Sequence, residues 1–330
     1  MIVRDHDASS ARTLGRHGPA GGSLVHQAVV HGTGRELAAA AVPYLREGLL
    51  NGDAVVAIVS PASGRLLRRR LGADASGSVE FIEAARWFGA PMPTLAACDD
   101  RAGRDWWPRG RLRLLAEPVW EGRTPLEIRE WKRHEALLNV VFAGTPTMIM
   151  CAYDAAALPA HIVSDAARTH PELVDDRGPR PSDRFVDPAA FYAECNAHPL
   201  PAPPPDAARR SFGGGELPGV RGFLTAEAAR LGLPADRSLP FVLAVNEVAT
   251  TVISEGGGQG TVWVWSEDGE LVCDVGDPVG RLEDRFLGCF PPRVQRPGDA
   301  ALWAVRRLCH IVEIRSGAGG TRVRMRLKPG

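Results

Sequence analysis

The sequence predicts two folding units: an N-terminal α/β domain with a mainly parallel sheet over residues 23–172, and a C-terminal α+β two-layer sandwich over 211–330. Three observations predict them. Through the first half, short β-branched runs alternate with helical stretches, the pattern of a parallel sheet covered by helices. The second half instead places two strand patterns, VWVWS and ELVCDVG, around an Asp268-Gly269 turn, which favours antiparallel pairing. Between the halves, residues 173–210 are dense in proline and charge, and PAPPP favours an extended spacer. At 330 residues, each half is long enough to bury its own core.

Residues 1–22 are rich in Gly, Ser, Ala and Arg without periodicity, and are expected to form a flexible leader. From Ser23 onward, strands are expected at Val25 to Val30, Ala54 to Ser60, Val79 to Ile82, Leu112 to Leu115 and Met148 to Cys151. Helices are expected over 34–50, 63–71, 125–143 and 155–168. The helix at 125–143 is the best specified. Thr124 and Glu127 make a capping box, Pro125 takes the first helical position, and Gly144 with Pro146 stops the run. Ile128, Trp131, Leu138 and Val141 would form its buried stripe, leaving Glu130, Arg133, His134 and Glu135 on the other face. There, Glu130 and His134 are placed to pair at i,i+4, or the whole face is solvated. The segment FVDPAAFYAECN is expected to add one short helix within the spacer.

In the second half, helices are expected over 219–232, 239–254 and 299–310, with closing strands VEIRS and RVRMRL joined by GAGG. In the last strand Val323, Met325 and Leu327 alternate with arginines, as a half-buried strand should.

Composition narrows the function classes. Lys plus Arg (39) equals Asp plus Glu (39), so no overall field favours nucleic acid. No run reaches the roughly 20 apolar residues that span a bilayer, and the six cysteines are scattered without a CxxC pair. The expectation is a cytoplasmic protein with reduced thiols and no nucleic-acid or membrane partner. HGTGRE at 31–36 lacks the GxxxxGK[ST] of a phosphate loop. His26, His31, His134, His161 and Cys151 show no HExxH or CxxC spacing, so no metal is expected.

Open α/β sheets bind ligands beyond the carboxyl ends of their strands. Ser60, Glu117 with Trp120 and Arg123, and Tyr153 with Asp154 follow expected strands, and with His134 they have the composition of a small-molecule pocket. A structural Glu–Arg pair is the competing explanation.

LVHQAVV, AAAVPYLREGLLNGDAVVAIVSP, LLAEPVWEGRTPLEIREWKRHEALLN, CAYDAAAL and the THP at 169–171 together resemble the MEDS sensory domain, found in actinobacterial regulators and related to RecA/KaiC-type folds without a working phosphate loop. The resemblance implies a ligand-sensing role, with His26, Glu117, Trp120, Arg123, His134, Glu135, Tyr153 and Asp154 on the matching motif positions. Gln27 stands after the first histidine where that family more often has Glu.

The second half resembles the GHKL (Bergerat) ATPase fold, specifically anti-sigma serine kinases and their regulatory relatives. AVNEVATTVISEGGG matches the N-box helix, CDVGDPVG the first glycine box, and PGDAALWAVRRLCHIVEIRSGAGGTRVRM the second glycine box with its closing hairpin. In working members the N-box reads E-x-x-x-N. Glu247 occupies the base position here, but Thr251 replaces the Mg²⁺-binding Asn. A neutral hydroxyl lacks that residue's reach, and Mg²⁺ demands near-octahedral oxygen geometry. Asp277 keeps the adenine position, while Pro278 and Val279 displace the following Gly280; the G-x-G-L box has become Gly298, Asp299, Ala300, Ala301, Leu302. The resemblance therefore implies an impaired site, with Glu247, Thr251, Asp277, Gly280, Gly298 and Ala301 as its remnant, no cofactor, and weak ATP/Mg binding at most.

The leading expectation is a non-catalytic regulator. Its sensory domain takes a small molecule, and its kinase-like domain binds a sigma factor or anti-anti-sigma protein, in a chain that can also form a homodimer. One alternative is an active serine kinase using Glu247 as base; another is an enzyme or carrier acting through His134, Glu117 and Tyr153.

Overall fold

The computed structural model describes residues 22–280, 286–291 and 299–328. The expected leader, apart from Gly22, therefore lies outside the described residues, as does Gly298.

Strands β1 (Val25–His31), β2 (Ala54–Val59), β3 (Glu80–Glu83), β4 (Leu112–Ala116) and β5 (Thr147–Asp154) pair in parallel. Two short strands, β6 (Glu172–Asp175) and β7 (Gly178–Pro181), complete a seven-stranded sheet in the order β3-β2-β4-β5-β1-β6-β7. Only the β6–β7 pair is antiparallel. Every residue of β2 is buried, as a strand covered on both faces requires.

The helices of this half are α1 (Gly34–Leu50), α2 (Pro61–Leu71), α3 (Ala73–Gly77), α4 (Ala84–Trp87), α5 (Pro91–Arg101), α6 (Pro125–Val141), α7 (Ala160–Thr169) and α8 (Pro188–Cys195). Two cores flank the sheet. Val55, Ala57 and Val59 face Leu37, Leu45 and Leu67, while Val56 and Ile58 belong to a core with Leu95, Trp106, Trp131 and Phe142. Gly48 of α1 makes room for the buried Arg113 of β4, since a Cβ there would lie 2.4 Å from the arginine's Cδ. Arg113 in turn donates to Asp53 at 2.8 Å and Glu47 at 3.0 Å.

The second half contains β8 (Ala208–Gly213), α9 (Leu217–Arg230), α10 (Ala235–Ser254), β9 (Gln259–Glu267), β10 (Glu270–Asp277), α11 (Asp299–Leu308), β11 (Ile311–Gly317) and β12 (Gly320–Leu327). Its five-stranded sheet, β11-β12-β10-β9-β8, is antiparallel throughout. The β9–β10 turn forms at Asp268 (φ 51°) and Gly269 (φ 78°), the positive-φ pair that a tight hairpin needs. Helices α9, α10 and α11 bury Leu224, Val245, Val248 and Val305 against Val262, Cys273 and Met325.

The expected spacer at 173–210 is more structured than its composition suggests. It supplies most of β6, all of β7 and α8, and the start of β8. Its proline-bearing strand β7 sits at the sheet edge, where a missing N–H costs no ladder bond. Asn196 and Pro201 then fasten the chain to the second sheet, accepting from Arg315 at 2.6 Å and Arg324 at 2.8 Å respectively.

Helix α6 joins the halves. Glu127 closes the expected capping box, accepting the Thr124 N–H at 2.8 Å. Its other oxygen meets His310 at 2.9 Å and Lys328 at 2.7 Å. Two residues on, Arg129 pairs with Glu313 at 2.9 Å. The face expected to be either solvated or ligand-binding is enclosed: Glu130, Arg133, His134 and Glu135 are all buried. Glu130 pairs with Arg133 at 2.9 Å rather than with His134, which corrects the expected i,i+4 pairing.

Candidate functional site

The expected small-molecule residues separate into three groups. At the carboxyl ends of β2 and β4, Glu117 accepts from the Ser60 N–H at 2.8 Å and from the hydroxyls of Ser60 (3.4 Å) and Ser63 (3.2 Å). Arg123, considered as its partner, turns instead to backbone carbonyls, donating to Phe88 at 2.6 Å and to Val119, with its guanidinium 4.5 Å from the Trp131 ring. Burial lowers Arg123 to about 10. In place of the Glu–Arg pair weighed as the competing explanation stand two separate networks. Asp154, at the end of β5, accepts from the Ala156 N–H at 2.9 Å and caps the following turn.

His134 forms the second group. Its Nδ1 lies 3.0 Å from the Pro91 carbonyl, and its ring packs edge-on against Trp131 with centroids 4.9 Å apart. Burial lowers its pKa, so it is neutral near pH 7. The first of these contacts ties it to the start of α5.

The third group is a buried cluster on the sheet face covered by α6 and α7. His26 comes from β1, Glu135 from α6, Cys151 from β5, and His170 from the C-terminal end of α7. Their ligand atoms lie within 4.8 Å of one another. Glu135 Oε2 is 3.4 Å from His170 Nε2, 3.7 Å from His26 Nε2 and 3.4 Å from Cys151 Sγ, and Cys151 Sγ is 3.6 Å from His26 Nε2. Burial, then the neighbouring His170, lowers His26 to about 4. Burial opposes the charge on Glu135, but His170 and His26 outweigh it and hold the carboxyl below its ordinary range. Burial raises the Cys151 thiol well above its usual value.

An aromatic wall adjoins the cluster. Tyr153 packs edge-on against His170 at 5.7 Å and lies 6.1 Å from Trp120. The buried indole N–H of Trp120 has no hydrogen-bond acceptor, nor has that of Trp131 beside His134. His26 and Glu135 thus share one buried cluster, with Tyr153 beside it and Trp120 behind Tyr153. Sequence reasoning did not place Cys151 or His170 among the site residues. The His of the THP at 169–171 was a usable signal, whereas linear spacing carries no information on what β1 and β5 bring together.

The HGTGRE turn carries its own anion. Glu36 accepts the Gly32 N–H at 2.7 Å, and Thr33 accepts the Glu36 N–H at 3.2 Å.

In the second half, Asp277 is buried and accepts three backbone N–H groups: Gly257 at 2.9 Å, Val279 at 3.0 Å and Gly280 at 2.7 Å. Thr251 Oγ1 donates back along α10 to the Glu247 carbonyl at 3.1 Å. Asn246 accepts from Arg221 at 3.1 Å. One adjoining space, lined by Thr251, Val252, Gly256, Asp277, Leu302 and Thr321, holds about 40 Å³, and a second, lined by Asn196, Trp263, Asp277, Pro278, Arg315 and Thr321, holds about 600 Å³. Pockets for drug-sized ligands are typically about 300–1,000 Å³. Ala301 is half-buried on α11.

Residues 25–171 match the family model MEDS, the methanogen/methylotroph, DcmR sensory domain. The N-terminal sheet and the buried cluster, apart from β6 and β7, fall within this match. No curated protein matches the chain. Among solved structures, the chain is similar to the RsbU and RsbW domains of a Mycobacterium tuberculosis protein, with 18% identity and a TM-score of 0.28. That match covers 39% of this chain and 32% of the other, so the chain spans about a third of that structure's length. No helix among the described residues is long and apolar enough to cross a membrane.

Glu127 gives the junction between the halves a pH signature. Burial pushes its carboxyl up, but Lys328, the Thr124 N–H and His310 outweigh burial and draw it from 4.5 down to about 2. A depressed carboxylate contributes stability that is present above the unfolded value and lost as pH falls through the folded one. Unfolding free energy should therefore decline between pH 4.5 and about 2. Glu127→Gln should flatten that decline and lower stability at pH 7 by about 1–2 kcal/mol, discounted for the solvent reaching Lys328. Urea titrations at several pH values would show both effects, and an unchanged acid slope would contradict the assignment.

Proposed function

We propose that the chain is a regulatory signalling protein. Its N-terminal MEDS-type domain senses a small molecule, and its C-terminal domain is a degenerate GHKL fold of the anti-sigma type that binds a sigma factor or anti-anti-sigma protein without transferring phosphate. The domain limits in this reading are 23–172 and 211–330. The family match of residues 25–171 supports the sensory half. N-box and glycine-box resemblances, with helices on one face of an antiparallel sheet, support the second.

The observation that carries the loss of catalysis is the engagement of Asp277. An adenine-reading carboxylate must keep an oxygen free for the base, yet this one caps three N–H groups of its own chain. Thr251, at the Mg²⁺ position, spends its proton on the helix backbone. Phosphoryl transfer depends on positioning and metal charge rather than covalent chemistry, so these two changes remove what matters most. Signal transfer between the halves would run through α6, which carries Glu135 toward the buried cluster and Glu127 and Arg129 toward the second sheet.

Calorimetry of the full chain with Mg·ATP is expected to show no binding at micromolar concentration. Magnesium-dependent heat at that concentration would refute the loss of the site, and transfer of labelled phosphate to a partner would refute the non-catalytic reading.

A further inference from the structure

We propose that His26, Glu135, Cys151 and His170 form a closed, four-ligand binding site for a zinc-class divalent cation inside the N-terminal domain. Nothing in this inference depends on the partner or the ATP chemistry of the second half.

Proton accounting comes first. The Nδ1 of His170 lies 2.8 Å from the Ala166 carbonyl, which can only accept, so Nδ1 carries a hydrogen. His26 Nδ1 lies 3.0 Å from Asn139 Oδ1. The Asn139 amide orientation is fixed because its NH₂ donates to the Thr169 carbonyl at 2.7 Å and to the Ala136 carbonyl at 3.3 Å. His26 Nδ1 therefore also carries a hydrogen. A proton on either Nε2 would hold Glu135 ionised; with the rings in their neutral form, each aims an Nε2 lone pair at the Glu135 carboxylate. His170 Nε2 is fully buried and has no hydrogen-bond partner. Two imidazole lone pairs, a carboxylate oxygen and a sulfur thus converge on one point, with the Cys151 thiol proton as the one hydrogen among them. Such a set requires a cation.

Distance decides which cation. An imidazolium bonded to a carboxylate closes to roughly 2.7–2.9 Å. The two N···O separations here are 3.4 Å and 3.7 Å. Zinc bonds of about 2.0–2.3 Å, arranged tetrahedrally, place ligand atoms roughly 3.3–3.7 Å apart. Four of the six edges, 3.4, 3.4, 3.6 and 3.7 Å, lie in that range, and all six fall within 4.8 Å, so a bound cation would draw the remaining pairs inward. Two nitrogens and a sulfur suit zinc and exclude the hard oxygen-seeking cations Mg²⁺ and Ca²⁺. The Nδ1 bonds to Asn139 and Ala166 are the outer contacts that fix ring orientation around a bound metal. With four protein ligands the site has no open position for substrate, so it would tie β1, β5, α6 and the end of α7 together.

The test uses the full chain. Elemental analysis of protein purified without chelator is expected to give close to one zinc per chain. Exchange for Co²⁺ should give the visible bands of a tetrahedral site and a thiolate-to-cobalt charge-transfer band. Cys151→Ser should remove the charge-transfer band, and Asn139→Ala, which touches no ligand atom directed at the metal, should weaken binding about 10–100-fold. A wild-type chain with folded circular dichroism that takes up neither zinc nor cobalt at micromolar concentration would overturn the proposal. A cobalt spectrum without the thiolate band, or unchanged in Cys151→Ser, would overturn it equally. The wild-type spectrum decides the matter even if a variant fails to fold.

Discussion

Asp277→Ala is expected to destabilise the protein by about 3–5 kcal/mol while leaving nucleotide affinity unchanged. The physical reason is the number of donors that the carboxylate satisfies. Gly257, Val279 and Gly280 all direct N–H groups at it. Each charge-assisted bond contributes roughly 1.5–3 kcal/mol, and a buried donor left without a partner adds its own desolvation cost. The three contributions are not additive, because a relaxed loop recovers some of them with water. The turn is closely built: a Cβ on Gly256 would lie 2.1 Å from Asp277 Oδ2, so the loop cannot collapse onto the deleted side chain without moving α10. Asp277→Asn keeps one carbonyl acceptor and should cost about half as much. Urea unfolding of the two variants checks the order. Were Asp277 an adenine anchor, Asp277→Ala would abolish ATP binding with stability nearly intact, the opposite pattern.

This distinction between a position and its use recurs along the chain. The capping box at Thr124 and Glu127 was readable because both partners lie within one helical turn. Strand β2 was readable because a strand buried on both faces writes itself as a continuous apolar run. β7 was not, since Pro179 and Pro181 argue against a strand unless it is known to lie at an edge, and edge position is a property of the assembled sheet. The buried cluster was hidden for the same kind of reason. His26 and Cys151 are brought together by β1–β5 pairing across more than a hundred residues, a proximity that no spacing rule along the chain contains. Cys151 in isolation has the sequence context of an ordinary buried thiol. Glu130, Arg133, His134 and Glu135 have the sequence of a solvated face, and they are enclosed because α6 is covered by α5, α8 and the second half of the chain.

Arg133→Ala is expected to cost about 3–5 kcal/mol and to loosen the two halves from each other. Arg133 is buried, with Nη1 2.9 Å from Glu130 and its guanidinium 4.8 Å from the Tyr192 ring. Its Nη2 donates to Asn196, whose Oδ1 also accepts from Arg315 of β11 at 2.6 Å. Removing the arginine leaves Glu130 as a buried charge without its main partner, and breaking a buried pair from one side typically costs about 3–5 kcal/mol. Arg133→Lys should not restore the loss. A single ammonium cannot reach Glu130 and Asn196 at once, nor lie flat on the Tyr192 ring as a planar guanidinium does. Glu130→Gln in the Arg133→Ala background should recover part of it by removing the stranded charge. The coupling has its own readout. In the parent chain, contacts through Arg133, Arg129 and Glu127 should make the halves unfold together, whereas in Arg133→Ala, fluorescence and circular dichroism should report two separated urea transitions. A single coincident transition in the variant would show that α6 fixes local structure without carrying information from the buried cluster to the second sheet.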